Sequence, residues 1–354
     1  MRVCLVNPTR LIRRPISELA KTLHDRGHTV GILTPEGESG LHHETYIDEI
    51  DIHTYQAWEP PLDYEWPIPR GFTKTLRGLE DDYDVFHSWT HFYLSSLLLA
   101  WQQPAKHVVT LDTIPGESFT MDALVDKAFN AYNRTIGKWV LSRADTVTVY
   151  GNDLKPFLKD IGYDEPVPVT PTGVIPPEVT HNPDLPDDYV AFIGHTTKRK
   201  GIDRLIKIAH RLNYVEFLVA GDSPSRNKWE EKAPGNVDFL GQIDYVPALL
   251  DNARCLVLPS RGEGLPGVVM EAMAMRCGVV ASDIPCIPEL VRDKREGLLV
   301  DQDDIDGFVE AIRDIGDERR LVENAYQRVT KKFSWDNAAD GFTDVYRSVL
   351  EEEA

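Results

Sequence analysis

Leu256-Val257-Leu258-Pro259-Ser260-Arg261-Gly262-Glu263-Gly264-Leu265-Pro266-Gly267-Val268-Val269-Met270-Glu271-Ala272-Met273-Ala274-Met275 reads as strand, loop and helix. The apolar run ending at Pro259 has the length of a buried parallel strand, and Val268 to Arg276 holds good helix formers with no breaker. The corner between them is rich in glycine. Gly262, Gly264 and Gly267 let backbone come close to a ligand, and Pro266 suits a first helical turn, where an N–H would be unpaired anyway. Free N–H groups and the positive end of the helix dipole would then face an anion such as a phosphate. Two carboxylates frame the corner, Glu263 in the loop and Glu271 about one turn inside the helix. On composition alone, an ordinary strand-to-helix turn with two solvated glutamates accounts for the stretch equally well.

Spacing and context separate these readings. Glu263 and Glu271 are separated by seven residues, and E-G-L-P-G-V-V-M-E-A-M-A-M-R-C-G-V-V-A-S resembles the signature of the retaining glycosyltransferases of family 4, also called glycosyl transferases group 1. The resemblance implies an α/β chain of the GT-B class, two doubly wound Rossmann-like domains facing across a cleft. It further implies a donor substrate that is a nucleotide-diphosphate sugar, UDP- or GDP-linked, with no permanently bound cofactor and no metal. In that scheme Glu263 binds hydroxyls of the transferring sugar and Glu271 the ribose. Backbone at Gly264, Leu265, Pro266, Gly267 and Val268 assists at the diphosphate.

The chain of 354 residues can bury two cores of ordinary domain size. No apolar run reaches the roughly 18 residues needed to cross a bilayer, and the amino terminus enters a strand directly, so the expectation is a soluble, cytoplasmic protein. Cys4, Cys255, Cys277 and Cys286 form no close pair, which points to buried thiols before a disulfide framework or a zinc site. A formal net charge of −19 disfavours nucleic acid, whose phosphates need a basic face. Asp exceeds Glu and Arg exceeds Lys, a bias that suggests adaptation to high salt; a merely acidic mesophile is the plainer alternative.

From the start, Arg2–Val6, a helix over Pro15 to Gly27 and a strand from His28 to Leu33 make a β-α-β unit. Its loop, Asn7 to Pro15, lies where ligands bind in such folds. Relatives carry a glycine pair there, and this chain has Arg10, Arg13 and Arg14, which could hold a phosphate of donor or acceptor or simply be solvated. Glu36 to Arg70 shows no clear period, and irregular strands and loops are expected there. Its aromatics Trp58, Tyr64 and Trp66 could stack on a sugar but more often pack such an excursion down. Tyr83 to Ser88 resembles the family strand that ends in a histidine, which makes His87 and His91 contact candidates beside their plainer role as packed groups. Asp112 stands where many relatives carry a His-Asp dipeptide. Ala128, Phe129, Tyr132, Ile136, Trp139 and Val140 form a helical stripe, read first as core; with Lys127, Arg134 and Lys138 it could also rest on a membrane.

The first domain is expected over 1–170 on the acceptor side. A stiff linker with seven prolines between Pro166 and Pro186 covers 171–188, and a donor-binding domain runs over 189–332. The helix 333–350 is expected to pack back on the first domain. After the strand Tyr189–Ile193, Lys200-Gly201 matches a family pair whose cation answers charge on a departing diphosphate, with Arg199 as a helper. Gly194 and His195 follow the strand, the histidine where relatives place arginine. Gly241 and Gln242 fall where relatives cradle the base. The acceptor side is then assigned to Arg13, Arg14, His87 and Asp112, and the reaction to transfer of a hexose-type sugar onto a glycan, a lipid-linked or a small-molecule acceptor. A nucleotide-sugar epimerase of the same fold and a catalytically silent binding protein are the alternatives.

Overall fold

Short runs of β-branched and aliphatic residues alternate with helical stripes, the pattern that builds parallel sheets covered by helices. The computed structural model describes residues 1–37, 50–60, 66–116, 123–178, 185–316 and 318–351. They divide into two units, 1–116 with 123–173 and 335–351, and 174–334, so the chain passes between them after Gly173 and again after Ser334.

The first unit holds strands Arg2–Val6 (β1), Thr29–Pro35 (β2), Asp51–Tyr55 (β3), Val85–Trp89 (β4), Lys106–Leu111 (β5) and Thr146–Val149 (β6). The second holds Tyr189–Ile193 (β7), Glu216–Ala220 (β8), Val237–Gly241 (β9), Cys255–Leu258 (β10), Gly278–Ser282 (β11) and Leu298–Val300 (β12). All pair in parallel, in the orders β3-β2-β1-β4-β5-β6 and β9-β8-β7-β10-β11-β12. Both are the doubly wound order, and it reverses between β1 and β4 and between β7 and β10. Beyond the carboxyl ends of those strand pairs a doubly wound sheet opens a crevice.

Helix Arg14–Asp25 buries Ile16, Leu19, Ala20 and Leu23, the expected stripe, and Gly27 at φ 83° turns the chain out of it. Two other expectations need correction. Within the irregular stretch from Glu36 to Arg70, β3 is a regular parallel strand along β2; Asp51, His53 and Thr54 hid it, since an edge strand tolerates polar residues. Trp58 is 45% exposed, Trp66 packs on Phe92 at 5.7 Å between ring centroids, and Tyr64 lies outside the described residues. The stripe from Ala128 to Val140 is only partly core. Val140 is buried and Phe129 and Tyr132 are half-buried, but Ala128, Ile136 and Trp139 are exposed. A π-helical turn over Asn133–Gly137 adds a residue per turn and rotates the later positions, so Asn133 and Gly137 take the buried face instead.

The terminal helix Trp335–Glu351 belongs to the first unit. Arg26 donates to Asp336 and Asp340 (3.0 and 2.7 Å), and Tyr346 pairs with His87 in the core. The core of the second unit is aliphatic and aromatic, with Phe192, Phe217, Phe308 and Ile312 at or near zero exposure. All four cysteines are free and buried. Among the described residues, no helix is long and apolar enough to cross a membrane.

Candidate functional site

In the second unit, β7 and β10 are neighbours and their carboxyl ends meet at the point where strand order reverses. The loop after β7 carries Arg199 and Lys200, the loop after β10 carries Glu263, and the two are laced together. Lys200 Nζ donates to both carboxylate oxygens of Glu263, at 2.9 Å to Oε1 and 2.7 Å to Oε2. Ser260 Oγ adds a third donor to Oε1 at 2.6 Å. Glu263 is 3% exposed, so its charge is compensated by the ammonium and the hydroxyl rather than by bulk water. Arg199 Nη1 donates to the Gly262 carbonyl at 2.9 Å and stands 4.0 Å from Glu263 Oε2. Residues read separately in the sequence, the carboxylate and the cation, are thus one ion-paired group.

This approach is possible because Gly201 has no side chain. Its φ is 78°, and a Cβ there would lie 1.9 Å from the Pro259 carbonyl oxygen, so an L side chain meets both strain and backbone. Gly221, at φ 122°, behaves similarly: a Cβ there would sit 2.1 Å from the Gly194 carbonyl oxygen, so its absence lets the ends of β7 and β8 come together. Two arginines hold the loops from below. Arg261 makes a bidentate bond to Asp203 (2.7 and 2.8 Å), and Arg204, 4% exposed, donates to the Pro259 and Ser260 carbonyls (3.1 and 3.3 Å) and to Asp303 (2.6 Å). Burial alone would raise the Asp203 pKa; the bond to Arg261 and its charge outweigh that and lower it. Sequence reading missed the roles of Ser260, Arg204 and Arg261. For Arg204 a signal existed, a lone charge on the stripe of Ile202, Leu205, Ile206 and Ala209.

Pro266 caps the helix Gly267–Ala274 instead of opening it. The first N–H groups of a helix have no intrahelical acceptor, and a Cβ on Gly267 would meet nothing within 4 Å, so this corner is open. Glu271 lies in the second turn, half-buried. His195 is exposed, with Nδ1 at 3.1 Å from the Asp222 carbonyl oxygen. Gly241 accepts from Gly221 N–H at 2.7 Å, and Gln242 beyond it is exposed.

The four acceptor-side candidates of the first unit part company. His87 is fully buried, with Nδ1 at 2.7 Å from Tyr346 Oη and Nε2 at 2.7 Å from Thr110 Oγ1, so both ring nitrogens are used within the core. Burial also pushes its pKa well below the ordinary value, and His107 nearby adds to this. Arg14 opens the helix Arg14–Asp25 and is exposed. Arg13 and Asp112 come together at the ends of β1 and β5, Arg13 Nη2 donating to Asp112 Oδ2. Burial lowers the Arg13 pKa, and the charge of Asp112 more than reverses that.

Comparison with known proteins adds to this geometry. Residues 187–318 match the model described as glycosyl transferases group 1, and residues 14–176 match that of glycosyltransferase family 4. Alpha-maltose-1-phosphate synthase of Mycobacterium tuberculosis is 30% identical, the match spanning 85% of this chain and 91% of that enzyme. The corresponding synthase of Mycolicibacterium smegmatis is 33% identical over 190 residues, 47% of this chain; there the chain spans about half the relative's length, 49%. Among solved structures, sucrose-phosphate synthase of Thermosynechococcus elongatus has a TM-score of 0.80 at 21% identity, over 99% of this chain and 100% of that one. HepE of Anabaena, in complex with UDP-glucose, has a TM-score of 0.78 at 16% identity, over 98% and 100%. These two show a shared fold, the GT-B class.

Proposed function

The chain belongs to the family 4, group 1 glycosyltransferases, and from that premise we propose that it moves a hexose-type sugar from a nucleotide-diphosphate sugar to a hydroxyl of a glycan, lipid-linked or small-molecule acceptor, with retention of configuration. The observation that carries this is the Glu263 carboxylate, buried at the switch point and held by Lys200 and Ser260. A fixed negative charge there steadies the positive charge that builds on the sugar as its bond to phosphate stretches. Lys200 has three N–H donors and gives two to Glu263; the third, with Arg199, serves the departing diphosphate. Glu271 takes the ribose hydroxyls, and the N–H groups from Leu265 to Val268 assist at the phosphates. Backbone near Gly194, His195, Gly241 and Gln242 borders the base and diphosphate. The acceptor oxygen bonds the anomeric carbon on the face the phosphate leaves, and the leaving phosphate oxygen takes the acceptor's proton, so no protein nucleophile is needed.

UDP-sugars come first among donors to try, since HepE, alike in fold, is held with UDP-glucose; GDP-sugars follow. We also assign to the exposed Leu124, Ile136 and Trp139, with Lys127 and Lys138 on the same helix, a peripheral contact with anionic lipid at the cytoplasmic face. Calorimetry with UDP- and GDP-sugars, then nucleotide release with and without acceptors, tests the activity. Donor binding with no acceptor-dependent release across lipid, glycan and small-molecule acceptors leaves a silent binding protein. Activity that falls steadily in molar KCl removes the high-salt reading of the −19 charge.

A further inference from the structure

At the opposite edge of the second unit's sheet, before the amino ends of β7, β10 and β11, lies a cavity of about 800 Å³. Arg254 lines it just ahead of β10, and Arg276 and Gly278 line it at the start of β11. Arg313, Ile315 and Arg319 complete it where the helix Ile305–Ile315 gives way to the helix Arg319–Lys332. Two close approaches build the place. A Cβ on Gly278 would lie 2.8 Å from Ile315 Cγ1, so β11 and the first of these helices meet directly, and a Cβ on Gly316 would stand 3.6 Å from Arg254 Cγ.

Four of the lining groups are guanidiniums, in a chain whose 57 acidic residues outnumber its 38 basic ones. Two of the four are neutralised. Arg254 Nε donates to Asp188 Oδ1 at 2.9 Å, and Arg276 Nε donates to Glu323 at 3.2 Å while its Cζ lies 3.4 Å from the Tyr326 ring centroid. The other two are not. Arg313 Nε donates to the neutral Tyr214 hydroxyl at 3.0 Å, and among the described residues neither Arg313 nor Arg319 has a carboxylate partner. With Asp187 counted, four guanidiniums stand against three carboxylates, and the lining keeps one positive charge. Nor does Arg319 serve its own helix, since the dipole opposes a cation in the first turn. An anion removes that conflict. Guanidinium groups hold phosphate through parallel N–H donors, and Arg254 and Arg276, already ordered by their partners, fix the shape of the wall. Ala253, Ile315 and Val322 add apolar surface, and the volume falls in the range of small-molecule pockets, more than a bare phosphate fills.

We propose that this cavity binds a small phosphate-bearing molecule, at a site separate from the corner around Glu263. β10 lies between the two: Arg254 precedes the strand, and Ser260 and Glu263 follow it. The proposal holds whether or not the chain transfers sugar. Calorimetry on the full chain at low ionic strength, with glucose 6-phosphate, inorganic pyrophosphate and glucose as probes, tests it. At least one phosphate-bearing probe should bind tenfold or more tightly than glucose. Glucose 6-phosphate as the tighter of the two assigns an ester, and pyrophosphate as the tighter a free phosphate. Arg313→Gln combined with Arg319→Gln, on two exposed side chains, should weaken that probe at least tenfold and leave UDP binding unchanged. Saturating UDP should leave the probe bound to the wild type. Displacement of all bound probe by UDP, a double variant that binds it as well as wild type, or no phosphate-bearing probe bound at tens of millimolar overturns the proposal. Should the double variant fail to fold, Arg319→Gln alone, expected to weaken the probe at least threefold, takes its place. If UDP does not bind, the donor reading fails and the arginine variants still judge this site; if UDP binds and the probes do not, the reverse holds.

Discussion

In the first unit, β4, β5 and β6 turn His87, Ser88, His107, Thr110 and Thr148 into the sheet's interior, where they bond one another: His87 to Thr110, Thr110 to Thr148, Ser88 to His107. In the second unit β10 and β11 bury cysteine, leucine, valine and alanine along most of their length, and polar groups gather past the strand ends as Ser260 and Glu263. The same strand order therefore carries two distributions of polarity. Hydrogen-bonded polar groups inside a sheet specify geometry but stabilise little beyond their desolvation cost, and each becomes a liability if its partner is lost. An apolar sheet with charged loops concentrates its chemistry where a ligand can reach it.

The largest expected difference concerns chemistry. Glu263→Ala and Lys200→Ala should each lower nucleotide release by on the order of 10³-fold while the unfolding of the first unit is unchanged by hydrogen exchange. A Lys200→Ala enzyme as fast as wild type would remove the cation from its assigned role. Next, Gly201→Ala should reduce turnover by roughly 10²-fold, because a Cβ 1.9 Å from the Pro259 carbonyl oxygen must push the two loops apart. Ala at Gly235, where a Cβ meets nothing within 4 Å, is the control expected to stay active.

Tyr346→Phe strips the partner from His87 Nδ1 and should cost about 1–3 kcal/mol, felt in the first unit only; denaturant melts followed by hydrogen exchange would resolve it. An equal loss in both units would contradict this assignment. A further expected difference is acid sensitivity. Burial holds His87, His91 and His107 below the ordinary histidine value, the latter two at about 4. The unfolded chain then binds protons first as pH falls through about 6.5, so stability present above that value is lost toward pH 4. No histidine is buried among the described residues of the second unit. The first unit should therefore open first in a pH titration followed by hydrogen exchange, and simultaneous opening would count against this.

The second unit was the more legible from sequence because its strands are uniform apolar runs and its loops carry glycines and charges at characteristic spacing. β7 lies where the apolar run placed it, and the helix after Pro266 starts within a residue of its expected start. In the first unit β3 was hidden by its polar residues, and the buried side of helix 123–142 was obscured by the π-helical turn, which no periodicity of 3.6 can show. His87 looked like a contact residue because a histidine at a strand end is compatible with both a ligand and a core partner; the partner is Tyr346, 259 residues away in sequence.

By itself, then, the sequence determined the alternation of strands and helices and the glycine-rich corner at Gly264 to Gly267, since these follow from local periodicity and residue chemistry; Glu263 and Lys200 were marked as site candidates by the family resemblance. Only the tertiary structure decided that Lys200 and Glu263 are one ion pair, that Arg204 and Ser260 hold it, and that Arg254, Arg276, Arg313 and Arg319 line one cavity. The reason is physical. Hydrogen bonds and desolvation depend on which groups meet across strands dozens of residues apart, and that pairing is set by the packing of the whole unit rather than by any local stretch.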